Sequence, residues 1–243
     1  MRKSSGTGLV FKRYFARLIF RAVVFTIILL VYIFRRELLY EAINFKLFDN
    51  FIMIHLLWFI LMTAMLRNLF PKVQISISGL KRRGDYYKEP EEGYDRLEML
   101  NHVQKMNIGA WKVMLGWLTL NAVFAVFYLA GMIGEAELLM LTVFYYLSDT
   151  VCMVLFCPFQ KFFMGNRCCV DCRIFDWGYF MMYTPMLFIK SFFSWSLFFV
   201  ACIIVIRWEI TYARHPERFW EGSNAAIRCK NCTDRLCRIK KPY

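Results

Sequence analysis

Six of the nine cysteines in this 243-residue chain lie in polar, basic surroundings, and four of them form two C-x-x-C pairs. The stretch "GNRCCVDCRIFDWG" holds Cys168, Cys169 and Cys172, and "IRCKNCTDRLCRIKK" holds Cys229, Cys232 and Cys237. C-x-x-C spacing lets a tight turn aim two thiolates at one metal ion, and two such pairs complete the tetrahedral sulfur set that zinc prefers. Cys169, Cys172, Cys229 and Cys232 are therefore the expected ligands, with Cys168 and Cys237 as alternates. Basic neighbours (Arg167, Arg173, Arg228, Lys230 and Arg235) favour thiolates and would offset the net charge of a zinc tetrathiolate. A compact zinc ribbon separates its pairs by about 15–20 residues. Here 56 residues lie between Cys172 and Cys229, so distant segments must assemble the site.

The same six thiols admit an iron–sulfur cluster that passes electrons at a membrane, although the ferredoxin run C-x2-C-x2-C-x3-C-P is absent. They also admit thiol–disulfide exchange. Against that stand the basic flanks, which belong on the reducing side of a membrane. Cys152 and Cys202 sit within apolar runs, where a cysteine serves as a small hydrophobe, and Cys157 lies at the edge of one.

A second group of residues lies inside apolar segments: Asn121, Asp149 and Lys190. Polar groups there are expensive and are functional candidates by default. Their positions suggest matching depth and one internal cluster, with Asp149 as the partner of Lys190. Such a pair would serve a proton relay or small transporter, or would fix helix register at an energetic cost. His55, His102 and His215 offer no facing pair for a haem. There is no phosphate-binding glycine loop, no G-x-S-x-G and no H-E-x-x-H. Asp171 and Asp176 read as solvated carboxylates. The chain is not expected to be an enzyme.

The elements that must hold these residues are apolar helices. The chain is 59% hydrophobic and 19% aromatic, against about 45–50% apolar for a soluble domain, and the excess is concentrated in blocks. Five segments stand out: 18–34, 51–66, 110–132, 138–157 and 178–206. The basic, apolar N-terminus resembles a secretory leader but runs into "RRELLYEA", with no small-x-small cleavage site, and reads as a retained span. The fifth segment, as a single helix, would be about 43 Å long at 1.5 Å per residue. That exceeds the ~30 Å hydrocarbon core, and Pro185 and Lys190 mark where it should break. In the inner loop 67–109, Leu97, Leu100, Val103 and Met106 make a stripe that suits a surface helix or the lead-in to the third span.

Charge decides between topologies. The net charge of +13 would suit nucleic acid, but the basic residues flank the apolar blocks, and anionic lipid explains them more simply. Five simple spans leave 18 lysines and arginines inside and 12 outside. If 178–206 instead enters and returns, 27 lie inside and three outside, and both cysteine clusters share one face. The expectation is an all-α, polytopic integral membrane bundle of four spans plus a fifth, broken or re-entrant segment. Residues 1–66 carry the first two helices, 67–109 a cytoplasmic loop, 110–206 the remaining helices with the 158–177 cysteine loop, and 207–243 a basic tail. The N-terminus would be cytoplasmic and the protein would lie in the cell membrane. Zinc, or alternatively an iron–sulfur cluster, would join loop to tail in a scaffold or accessory subunit that contacts lipid and a partner protein or a second copy, not nucleic acid.

Overall fold

A computed structural model describes residues 9–43, 53–70, 77–166 and 170–232. All regular structure among these residues is helical. The helices are α1 (Leu9–Phe34), α2 (Arg36–Ile43), α3 (Met53–Leu69), the single turn α4 (Ile77–Leu80), α5 (Arg96–Leu129), α6 (Glu135–Val154), α7 (Gly178–Tyr183) and α8 (Phe192–Arg214). Four of them, α1, α5, α6 and α8, are long and apolar enough to cross a membrane, while α3 is apolar but shorter.

α1 and α6 run antiparallel. Tyr14 packs near Val154, Arg21 meets Asp149, and Tyr32 and Arg36 meet Glu137. The outer surface of α1 stays apolar and exposed, with Phe20, Ile27 and Ile33 all more than half accessible. α3 and α8 run parallel: His55 and Trp58 pack on Phe193 near the start of α8. The core runs from Met65 and Met106 through Trp117 and Tyr145 to Trp208 and Phe219.

α5 is one continuous helix. Asp95 caps it by accepting from the Leu97 amide at 2.7 Å, and its 34 residues extend about 51 Å. The stripe at 97–106 is thus a lead-in to the span. Only part of it turns inward, with Met106 buried and Leu97 and Leu100 exposed.

The segment 178–206 breaks at the expected place but unequally. α7 and a 3-10 turn over Thr184–Phe188 form a short limb, with Pro185 at the start of that turn. The returning limb α8 continues past 206 to Arg214, giving it 23 residues, about 35 Å. The expected pair of short halves is therefore one short limb and one full-length helix. The hairpin returns the chain after α8 to the end of the bundle where it left α6.

Candidate functional site

At the end of the bundle where α5 begins and α3, α6 and α8 finish, the segments 77–95, 155–166, 170–177 and 215–232 close into a cap. Its foundation is Trp208, fully buried, whose indole N–H donates to the Arg173 carbonyl at 2.7 Å. The Arg173 guanidinium forms a two-pronged pair with Glu209, one contact being 2.7 Å, and lies 3.8 Å over the Tyr212 ring. Trp177 donates to the same carboxylate at 2.7 Å. Two pairs of short-range bonds therefore tie the 170–177 segment to the last turns of α8.

Lys81 is buried under this frame. Its ammonium donates to the Val170 carbonyl and lies 5.7 and 5.3 Å from the Trp208 and Phe219 ring centres. Next to it Arg82 and Asp176 form an ion pair at 3.2 Å with both side chains almost wholly buried, and Arg82 also donates to the Asn68 carbonyl at 2.6 Å. Burial pushes the Asp176 carboxyl up and the Arg82 guanidinium down from their ordinary values, because desolvation disfavours both charges. Asp171 behaves alike, raised by burial to about 6, with Lys81 opposing. Asp171 and Asp176 are thus not the solvated carboxylates expected from sequence.

The 215–232 segment folds back over 77–95. The Ala225 amide donates to the Lys88 carbonyl at 2.7 Å, the Lys88 amide to Asn224 Oδ1 at 3.3 Å, and Arg228 pairs with Glu92 at 2.5 Å. His102 of α5 stacks on Trp220, ring centres 5.6 Å apart.

Three of the six candidate metal ligands lie among the described residues. Cys172 is half-buried against the main core. Cys229 opens a 3-10 turn, Cys229–Asn231, which the Cys232 amide closes onto the Cys229 carbonyl at 3.2 Å. Cys232 packs on a small cluster of Val170 and Ile227. Val170, two residues before Cys172, thus adjoins Ile227, two residues before Cys229. Cys168, Cys169 and Cys237 lie outside the described residues. Among the described residues, no three His, Cys, Asp or Glu side chains are grouped to hold a metal ion.

The intramembrane residues are arranged otherwise than expected. Asp149 takes Arg21 of α1 as its ion-pair partner, at 2.6 Å, rather than Lys190. It lies five residues from the end of α6, near the cap. Lys190 is exposed in the turn before α8, at the opposite end of the bundle, because α8 is long enough to carry its start there. Asn121 is buried in α5 and donates to the Trp117 carbonyl one turn back at 2.9 Å. Arg21 lies three residues into the apolar segment 18–34 and reads there as the end of the basic N-terminal flank, whereas α1 starts at Leu9 and carries it well inside the helix. Lys81 and Arg82 escaped because they sit in a charge run that reads as solvated loop.

No family model matches the chain, and no curated protein or solved structure shows significant similarity to it.

Proposed function

We propose that this is an integral protein of the cell membrane, N-terminus and cap in the cytoplasm, in which a zinc ion held by Cys169, Cys172, Cys229 and Cys232 staples the 158–177 loop to the C-terminal segment. Its role is that of a scaffold or accessory subunit, presenting a rigid cytoplasmic cap to a partner. The observation that carries this reading is the small cluster of Val170 and Ile227 against which Cys232 packs, since it sets the chain beside Cys172 against the chain beside Cys229, with 56 residues between those two cysteines. The tight turn from Cys229 to Cys232 supports it, since C-x-x-C spacing on such a turn can aim two thiolates at one metal ion. Lipid embedding is supported by the exposed apolar surfaces of α1, α5 and α8. It is also supported by charge: among the described residues, Arg35, Arg36 and Lys190 are the only lysines or arginines in segments at the uncapped end.

The deciding experiment is metal analysis with an absorption spectrum on protein purified anaerobically in mild detergent. Stoichiometric zinc without colour, lost in Cys229→Ser and Cys232→Ser, is the expected result. Stoichiometric iron with broad visible absorption would reassign the same thiols to an electron carrier. No bound metal in the intact chain would end the metal reading. Orientation is read separately, by labelling exposed Cys229 with an impermeant maleimide: reaction from the outside of intact cells would overturn the cytoplasmic assignment.

A further inference from the structure

Between α5, α6 and the start of α7 lies a cavity of about 310 Å³, within the size range of small-molecule sites. Its walls are mostly apolar and aromatic, including Trp117, Phe144, Phe159 and Met182. Two of its residues, Leu120 and Phe144, are also 44% and 50% exposed on the outer faces of α5 and α6. The mouth therefore has an apolar rim on the side that the apolar helix surfaces present to lipid.

Among the polar groups of the lining, which include Tyr145, Ser148 and Asp149, Gln160 is the most deeply buried. Gln160 is 1% exposed, lines the cavity, and neither its amide nitrogen nor its amide oxygen has a hydrogen-bond partner. An amide offers two donor and two acceptor positions, and burying it unpaired costs free energy that a native fold seldom leaves uncompensated. Gln160 is held there by unusual backbone. Residues Phe159–Met164 form a single turn of π-helix, started after Pro158 and stopped by Gly165 in the left-handed region at φ 62°. Such turns recur at functional sites. α5 accommodates this one through Gly109, where a Cβ would stand 2.9 Å from the Phe163 carbonyl oxygen.

The lining also limits the charge of an occupant. It contains one carboxylate, Asp149, and no lysine, arginine or histidine among its described residues. That carboxylate is already paired with Arg21 of α1, so an anionic head would find no cation in the lining to receive it, whereas a neutral head can be satisfied by the Gln160 amide.

We propose that this cavity binds a neutral single-chain amphiphile of the monoacylglycerol class, its hydroxyl or ester head hydrogen-bonded to the Gln160 amide and its chain against the aromatic wall, entering from the lipid between α5 and α6. The cavity shares Cys172 with the proposed zinc site, but its test uses thiols outside that set. Cys152 and Cys157 both line the cavity and are not disulfide-bonded.

The test is alkylation by N-ethylmaleimide in phosphatidylcholine nanodiscs, with Cys152 and Cys157 followed by peptide mass, in the presence of monoolein, oleate or neither. Monoolein is expected to slow alkylation at both cysteines by roughly tenfold when it stands at about ten times its Kd, and oleate to protect much less. In Gln160→Leu the protection by monoolein should disappear, while the empty protein unfolds at a higher temperature because the unpaired amide is gone. Absence of protection by monoolein, equal protection by oleate, or protection undiminished in Gln160→Leu would each overturn the proposal. Should that variant not fold, the comparison of monoolein with oleate on the unaltered chain still decides.

Discussion

Arg21 of α1 and Asp149 of α6 face each other at 2.6 Å, with the guanidinium also lying 4.1 Å over the Tyr146 ring and donating to the Tyr146 carbonyl at 2.7 Å. This pair and the Arg36–Glu137 pair stand twelve residues apart along α6, about 18 Å at 1.5 Å per residue. Between them the α1–α6 contact is apolar. Two polar fixtures on an otherwise featureless seam fix its register, because sliding α1 by one turn would leave both charges of each pair without partners.

Removing one member of the buried pair should therefore cost more than removing both. Arg21→Met or Asp149→Leu alone is expected to lose about 3–5 kcal/mol by leaving an uncompensated charge, and the double replacement to recover most of that loss. Thermal unfolding of the two single variants and the double variant in one detergent gives the coupling energy. Additive losses would show that the two side chains act independently.

Two glycines of α5 should respond to alanine in opposite directions. At Gly109 the added Cβ meets the Phe163 carbonyl oxygen at 2.9 Å and Met164 Cα at 3.3 Å. Overpacking of that kind costs about 1–3 kcal/mol. At Gly116 nothing lies within 4 Å, and alanine should gain up to about 1 kcal/mol from helix propensity. The measurement is the unfolding midpoint of each variant against the parent chain.

The cap should weaken in mild acid through His102. Burial holds its imidazole below the usual value of 6.5, with Lys105 and Lys81 adding repulsion. An unfolded chain then binds a proton that the folded one refuses, so stability rises with pH through this window. As pH falls below 6.5 toward the lower folded value, His102 takes stability away; below that value the loss is constant. Unfolding temperatures measured across that window should converge between the parent and His102→Phe as pH rises. The stacked Trp220 reports the same transition by fluorescence.

The fold was legible where hydropathy alone decides. The apolar blocks, the break near Pro185 and the return of the tail to the 158–177 loop all follow from length, proline and the side on which charge collects. The charged interior was less legible. Lys190 sits at the middle of an apolar run in sequence, yet helix α8 extends eight residues beyond that run and so moves Lys190 to the end of the bundle. Arg21 and Arg82 look like flank and loop because burial of an arginine depends on a carboxylate far along the chain, and neither Asp149 nor Asp176 announces its partner by spacing. Gln160 was invisible for a different reason: a π-turn leaves no periodic trace in six residues.

The cap also has an order of birth. Three of the bonds that hold 77–95, namely Lys88 to Asn224, Arg218 to Arg82 and Arg228 to Glu92, each join residues 136 positions apart. At about 5–20 residues per second, the ribosome delivers those partners roughly 7–27 seconds after the first segment of the cap. Lys81 and Arg82 wait less long, for Val170 and Asp176, 89 and 94 positions on, and stay hydrated until those arrive. The closing of 215–232 over 77–95 is thus among the last acts of assembly, and a ribosome that stalls before residue 215 leaves the basic run at 81–83 uncovered where the finished protein has a sealed lid.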